Sequence, residues 1–268
     1  MGLVVSDVKK SFDSTEVLSC VSFTAQDGEL VCLLGPNGSG KTTILKLIAG
    51  LEEVTSGSIT LDDEPAAGSH LPIGYVFQQH ALLPWRTIRQ NIAYGLELAG
   101  TPRAELERSV DGYIQLMGLE DFAAHYPRQL SGGMQQKVGI ARALAIDPKI
   151  VLMDEPFAAL DAQTRNILQA ELLRVWETTK KTVLFVTHSV DEAVYLADRI
   201  VMLSERPAVV RECIPVRLGR PRDRTSQEFN DLRREVLRLL GEESPDQMET
   251  MAPPQKRRDL YSQFPDII

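Results

Sequence analysis

The sequence predicts an α/β fold, a largely parallel β-sheet flanked by helices and interrupted by an all-helical insert. Two observations lead there. Strand-length apolar runs such as Ile150 to Met153 and Val183 to Val186 alternate with segments of helical spacing, and buried strands alternating with helices imply a parallel sheet. Between Ile88 and Ala145 the strands stop and three segments of helical spacing follow one another. The 268 residues give one large domain or two lobes, enough to bury a core without disulfides.

In chain order, Leu3–Val8, Val17–Thr24 and Glu29–Leu34 are rich in β-branched and apolar residues and read as strands, with Asp27-Gly28 as a turn. Met1-Gly2 followed by Ser6 also fits an N-myristoylation pattern, but Leu3–Val8 is taken as the first strand. Lys41–Ala49 reads as a helix stopped by Gly50, and Ser58–Leu61 and Gly74–Phe77 as short strands. Ile88–Ala99, Ala104–Met117 and Gly132–Ala145 make the helical insert, broken at Gly100-Thr101-Pro102, Gly118 and Pro127. Strand, helix and strand return at Ile150–Met153, Arg165–Thr178 and Thr182–Thr187. A final amphipathic helix places Phe229, Leu232, Val236 and Leu240 on one face, and the proline-bearing stretch 241–268 is expected to be a loosely ordered tail.

Hydrophobic residues at 43% and charged residues at 25% exclude a wholly disordered chain. The net charge of −8 makes non-specific nucleic-acid binding a poor expectation, so no nucleic-acid partner is anticipated. No apolar stretch approaches the ~18 residues that span a bilayer, and the start of the chain lacks the basic and apolar blocks of a signal peptide. Cys20, Cys32 and Cys213 are too few and too scattered for a zinc cluster or a disulfide framework, which suggests a reducing compartment.

The chemistry concentrates in three segments. Gly35-Pro36-Asn37-Gly38-Ser39-Gly40-Lys41-Thr42 fits G-x-x-x-x-G-K-[ST] between a predicted strand and a predicted helix. Its glycines let backbone N–H groups curl around phosphate oxygens, and the helix behind points its positive end at the same anion. Lys41 supplies a mobile charge for the β and γ phosphates and Thr42 a hydroxyl for Mg²⁺. The strand Ile150–Met153 ends in Asp154 and Glu155, the first suited to Mg²⁺ and the second to activating water. Leu130-Ser131-Gly132-Gly133-Met134-Gln135 offers a second bare helix N-terminus, with Ser131 as N-cap. Two phosphate-seeking helix ends on separate lobes suggest a site shared between two copies.

Together these segments resemble the ATP-binding subunit of ABC transporters over roughly Leu3 to Val216. The resemblance implies a P-loop NTPase (RecA-like) core with an antiparallel β part, an inserted helical subdomain and a short C-terminal helical extension. The implied boundaries are 1–216 for the ATPase domain, with an α/β core at 1–78 and 146–216 and a helical subdomain at 79–145, and 217–268 for the extension. Walker A matches Gly35–Thr42 and Walker B Ile150–Glu155. The signature matches Leu130–Gln135, with Met134 where glutamine is common. The Q-loop glutamine matches Gln78, the D-loop Ala159-Leu160-Asp161, the switch histidine His188 and the adenine-stacking aromatic Phe12.

By that resemblance the phosphates of ATP lie on Gly35–Thr43, and Ser131, Gly132, Gly133, Met134 and Gln135 of a second ATPase subunit close over the γ-phosphate. Glu155 polarises water, His188 contacts the γ-phosphate, Lys41 binds phosphate, and Asp161 belongs to the nucleotide site. Gln78 senses Mg²⁺ alongside Thr42 and Asp154. His70, His80 and His125 match nothing. Transmembrane permease subunits must be separate chains, a solute-binding protein joins through the complex, and the subunit is peripheral on the cytoplasmic face of the inner membrane.

Leu83-Pro84-Trp85 and Gly219-Arg220-Pro221-Arg222-Asp223-Arg224 resemble the nitrate, sulfonate and taurine importer group. Trp85 reads either as an interface anchor or as core. Arg217, Arg220, Arg222 and Arg224 read either as a solvated flank of the last helix or as a contact with anionic lipid or a partner. A soluble ABC-type ATPase, for example in cluster assembly, is the alternative function. A GTPase would need an Asn-Lys-x-Asp guanine reader, which the chain lacks.

Overall fold

The computed structural model describes residues 2–66, 72–79 and 81–241. The expectations about His70, His80 and the tail beyond Gly241 lie outside the described residues. Two long strands, β1 (Gly2–Phe12) and β2 (Thr15–Gln26), open the chain, followed by β3 (Leu30–Leu34) and α1 (Lys41–Ile48). Next come β4 (Ser56–Leu61), β5 (Glu64–Pro65) and β6 (Ile73–Val76). The helices α2 (Ile88–Leu98), α3 (Arg103–Met117) and α4 (Gly132–Ala145) form the insert. The chain closes with β7 (Ile150–Asp154), α5 (Ala162–Thr179), β8 (Thr182–Thr187), α6 (Val190–Leu196), β9 (Arg199–Leu203), β10 (Val210–Pro215) and α7 (Gln227–Leu240).

Two sheets result. One is antiparallel, in the order β2-β1-β4-β5, and the other runs β10-β9-β3-β8-β7-β6. In the second sheet every neighbouring pair is parallel except β10 against β9. β3, β7 and β8 are buried at every position, as strands covered on both faces must be. Alternate residues enter opposite layers. Val31, Leu33, Leu152 and Leu184 pack with α1 and the antiparallel sheet, whereas Cys32, Leu34, Met153 and Phe185 pack towards the insert and α5–α7.

Several expectations change in the structure. The sequence reading does not include β5, β9 and β10, although Ile200–Leu203 is an apolar run of the same kind as Ile150–Met153. α5 begins three residues before the predicted Arg165, because Asp161 caps it by accepting hydrogen bonds from the Gln163 and Thr164 amides. Three of the four clustered arginines, Arg220, Arg222 and Arg224, are not a solvated flank but make contacts within the chain. Arg222 is 7% exposed and donates to the carbonyls of Val194 and Tyr195. Arg220 donates to Leu196 O and Asp198, and Arg224 lies over the Tyr195 ring. Only Arg217 of the four is exposed. Guanidinium groups satisfy the orphan carbonyls at the end of α6 there. Trp85 is 71% exposed, which excludes the core reading.

Candidate functional site

The parallel register decides where the site lies. Leu34 at the end of β3 stands opposite Thr187 at the end of β8, and Asp154 at the end of β7 stands opposite Val186. The phosphate loop, the acidic pair and His188 therefore leave the sheet along one edge, the carboxyl ends of its strands, where open α/β sheets bind ligands.

Between β3 and α1 the backbone turns through Gly38 at φ +79° and Gly40 at φ +94°, values that favour glycine. An added Cβ at Gly35 would lie 3.0 Å from Leu203 O and 3.2 Å from Ser39 Oγ. Gly40 caps α1 without a side-chain bond, and no acidic residue of the helix occupies its first turn, so its first N–H groups have no capping side chain. The Ser39 hydroxyl is buried without a hydrogen-bond partner. A buried orphan donor beside a bare helix end is what an anion would satisfy.

Lys41 is buried, and its Nζ donates to Gly35 O at 2.8 Å and Pro36 O at 2.9 Å. Its ammonium lies 3.9 Å from Glu155 Oε1. Burial pulls the Lys41 pKa down, and the charges of Glu155 and Asp154 oppose that fall. Thr42 Oγ1 donates to Asp154 Oδ1 at 2.9 Å, and the Tyr75 hydroxyl approaches Asp154 Oδ2 at 3.4 Å. Burial raises the Asp154 carboxyl above the ordinary range; Thr42 opposes the shift and the neighbouring Glu155 charge adds to it. Glu155 sits at φ +42°, a left-handed conformation that costs a non-glycine residue about 1–3 kcal/mol and tends to mark functional positions. Its amide donates to Val186 O at 3.1 Å, and its Oε2 lies 3.1 Å from His188 Nδ1.

The remaining expected residues are placed less tightly. Gln78 follows β6 by two residues on the same sheet edge and is exposed. Phe12 ends β1, is 40% exposed and has Lys10 Nζ 4.5 Å from its ring centroid, so it is not core. Ser131 caps α4 by accepting from the Met134 amide, and Ser131 and Gly132 face solvent. Gly133 is buried, and a Cβ there would come within 2.8 Å of Thr164 Cγ2. Met134 packs partly into the core, while Gln135 donates to Leu130 O at 3.2 Å. Among the described residues, the hydrogen bonds of Ser131–Gln135 are local, so this chain does not bring its own signature onto its phosphate loop. Asp161 spends one carboxylate oxygen on its capping role.

Two participants went unread in the sequence. Tyr75 reaches Asp154 only because Tyr75 pairs with Leu152 across β6 and β7. Glu192, buried in α6, accepts from Thr187 Oγ1 at 2.5 Å, one residue before His188.

A family model described as ABC transporter matches residues 18–158. An uncharacterized ABC transporter ATP-binding protein of Methanocaldococcus jannaschii is 51% identical over 245 residues, covering 90% of this chain and 92% of the relative. The aliphatic sulfonates import ATP-binding protein SsuB of Bacillus thuringiensis is 42% identical over 241 residues, covering 88% and 95%. A dimeric ATP-binding cassette solved in a post-hydrolysis state with ADP and Pi superposes with a TM-score of 0.70 at 32% identity, covering 81% of this chain and all of that one.

Proposed function

The chain belongs to the ABC transporter family, as an ATP-binding subunit with ATPase activity, and from that premise we propose that it powers an importer of small oxidised anions of the sulfonate, taurine or nitrate type. One observation carries the catalytic part: Lys41, Thr42, Asp154, Glu155 and His188 converge on one sheet edge beside an uncapped helix. The likeness to sulfonate-import subunits supports the cargo class.

In this reading Lys41 exchanges its two loop carbonyls for β- and γ-phosphate oxygens, and Ser39 Oγ finds its acceptor there. The first-turn N–H groups of α1 complete the cradle. The residues fit a magnesium ion: Thr42 Oγ1 and Asp154 Oδ1 are hard oxygens 2.9 Å apart, and Mg²⁺ is held by one or two such groups plus phosphates. Bound there, the ion would neutralise charge on the transferring phosphoryl group. Gln78, on the same edge, is assigned to sense it.

Glu155 holds the attacking water and takes its proton, while His188 donates to the γ-phosphate oxygens. Removing a single preorganised donor of this kind typically costs ~10²–10³ in rate. Phe12 stacks on adenine. Ser131–Gln135 of a second subunit close the site, with Asp161 at the junction. ATP favours the closed dimer because it contacts both halves only there.

The partners proposed are a second ATPase subunit, separate permease chains and, through them, a solute-binding protein. The location proposed is the cytoplasmic membrane face. Among the described residues no helix is long and apolar enough to cross a membrane. Purification of the tagged chain from gently solubilised membranes tests the transport part. A co-purifying multi-spanning permease supports it, and the accompanying binding protein can then be titrated with taurine, alkanesulfonates and nitrate. Recovery with soluble partners alone would refute transport and leave the ATPase standing.

A further inference from the structure

The arginine segment before α7 connects to the segment carrying His188 through a continuous chain of hydrogen bonds whose central links are buried. Arg224, stacked on Tyr195 with its guanidinium 3.7 Å from the ring centroid, donates to Gln169 Oε1 of α5. Gln169 is 1% exposed, and its Nε2 donates to Glu192 Oε1 at 3.0 Å. Glu192 Oε2 accepts from Thr187 Oγ1 at 2.5 Å, and the same hydroxyl accepts from the Ser189 amide at 3.0 Å. The chain of bonds thus grips the backbone on both sides of His188.

The residue types suit this path. A primary amide can accept from a cation on one side while donating to a carboxylate on the other. Flipped, Gln169 would set NH₂ against guanidinium and carbonyl against carboxylate. Arg165 adds a second tie, with its Nε 3.9 Å from Glu192 Oε1 and its Nη2 donating to Leu160 O at 2.8 Å in the D-loop segment. The His188 side chain is itself half exposed and is held in place by its 3.1 Å contact with Glu155 Oε2 and by the backbone at 187–189.

We propose that Gln169 and Arg224 are positioning residues for His188, and that the C-terminal arginine segment thereby supports the catalytic switch. The inference rests on the reading of His188 as the γ-phosphate contact. Arg222 and Arg220 secure the segment by binding the last carbonyls of α6, the helix that His188 precedes.

The test uses the full chain carrying Gln169→Leu, which keeps the bulk and breaks the relay. The readouts are ATPase kcat, KM for ATP and hydrogen exchange at the Ser189 amide. The expected result is a kcat lowered about tenfold, KM within about twofold of the parent, and Ser189 exchange about tenfold faster. Arg224→Met retains the stem on Tyr195 and guards against a folding failure; it should shift kcat and exchange in the same direction, and Arg224→Lys should restore most of the loss. Unchanged kcat and unchanged Ser189 exchange in both Gln169→Leu and Arg224→Met would overturn the proposal, whatever happens to the melting temperature. His188→Ala tests the underlying reading separately, and full activity in that variant would remove both.

Discussion

Replacing Glu155 by glutamine separates chemistry from binding at this site. The carboxylate faces Lys41 at 3.9 Å and His188 at 3.1 Å. At an effective dielectric of about 20, the Lys41 separation corresponds to about 4 kcal/mol of attraction before desolvation is subtracted. Burial already pulls the Lys41 pKa down, so the net value of the pair is smaller. Glutamine preserves length and an acceptor for His188, but it cannot take a proton. Loss of a general base costs ~10²–10⁴ in turnover, about 3–5 kcal/mol of barrier. Nucleotide binding responds in the opposite sense, because a negative charge facing the phosphates is gone and Lys41 is released from a competitor. Affinity for ATP should be retained or tighten by up to about tenfold, ~1.4 kcal/mol. Phosphate release at steady state measures the first effect, equilibrium titration with nucleotide the second, and size-exclusion chromatography with ATP the trapped dimer. Unchanged ATPase activity in Glu155→Gln would refute the role of this carboxylate.

Lys41→Ala should weaken ATP binding by about 10–100-fold through loss of a buried charge on the phosphates, and undiminished affinity in a titration would contradict that. Asp154→Asn should abolish magnesium-dependent turnover yet stabilise the nucleotide-free chain by about 1 kcal/mol near neutral pH, seen as a higher melting temperature. The folded chain holds the Asp154 proton more tightly than the unfolded one, so the parent gains stability as pH falls from the raised value towards the ordinary one near ~4. The advantage of the variant should accordingly shrink as pH falls towards ~4, and a constant difference in thermal melts would count against a buried charged Asp154. Gly133→Ala places a methyl 2.8 Å from Thr164 Cγ2 and should cost about 1–3 kcal/mol, recovered in part when Thr164→Ser removes that carbon. Trp85→Ala should leave the melting temperature of the isolated chain nearly unchanged, within about 0.5 kcal/mol, because the ring is exposed; a large loss would show that the ring packs.

Most of the proposed phosphate site is legible in the sequence because its requirements are local. A glycine pattern, a lysine and a hydroxyl within one loop need only the flanking strand and helix, and both lie close to where the sequence put them. The same holds for Asp154-Glu155 at the end of an apolar strand and for Ser131 as a helix cap. Asp161 was legible as part of a motif but not as the cap that starts α5, since the cap depends on where the helix begins.

What the sequence by itself determined was the α/β alternation, the helical insert, and which residue types could hold a phosphate and activate water. Those follow from periodicity and from chemistry confined to a few neighbouring residues. Only the tertiary structure decided which strands lie side by side, and hence that residues 34, 154 and 187 share one edge, that Tyr75 reaches Asp154, and that Lys41 rests on its own loop carbonyls. It also decided between the readings of the arginine run, making Arg220 and Arg222 a fastening for α6, since a guanidinium finds orphan carbonyls only after the helix end has been brought beside it. Strand register and helix-end packing join residues far apart in the chain, and no local pattern encodes a distance of that kind.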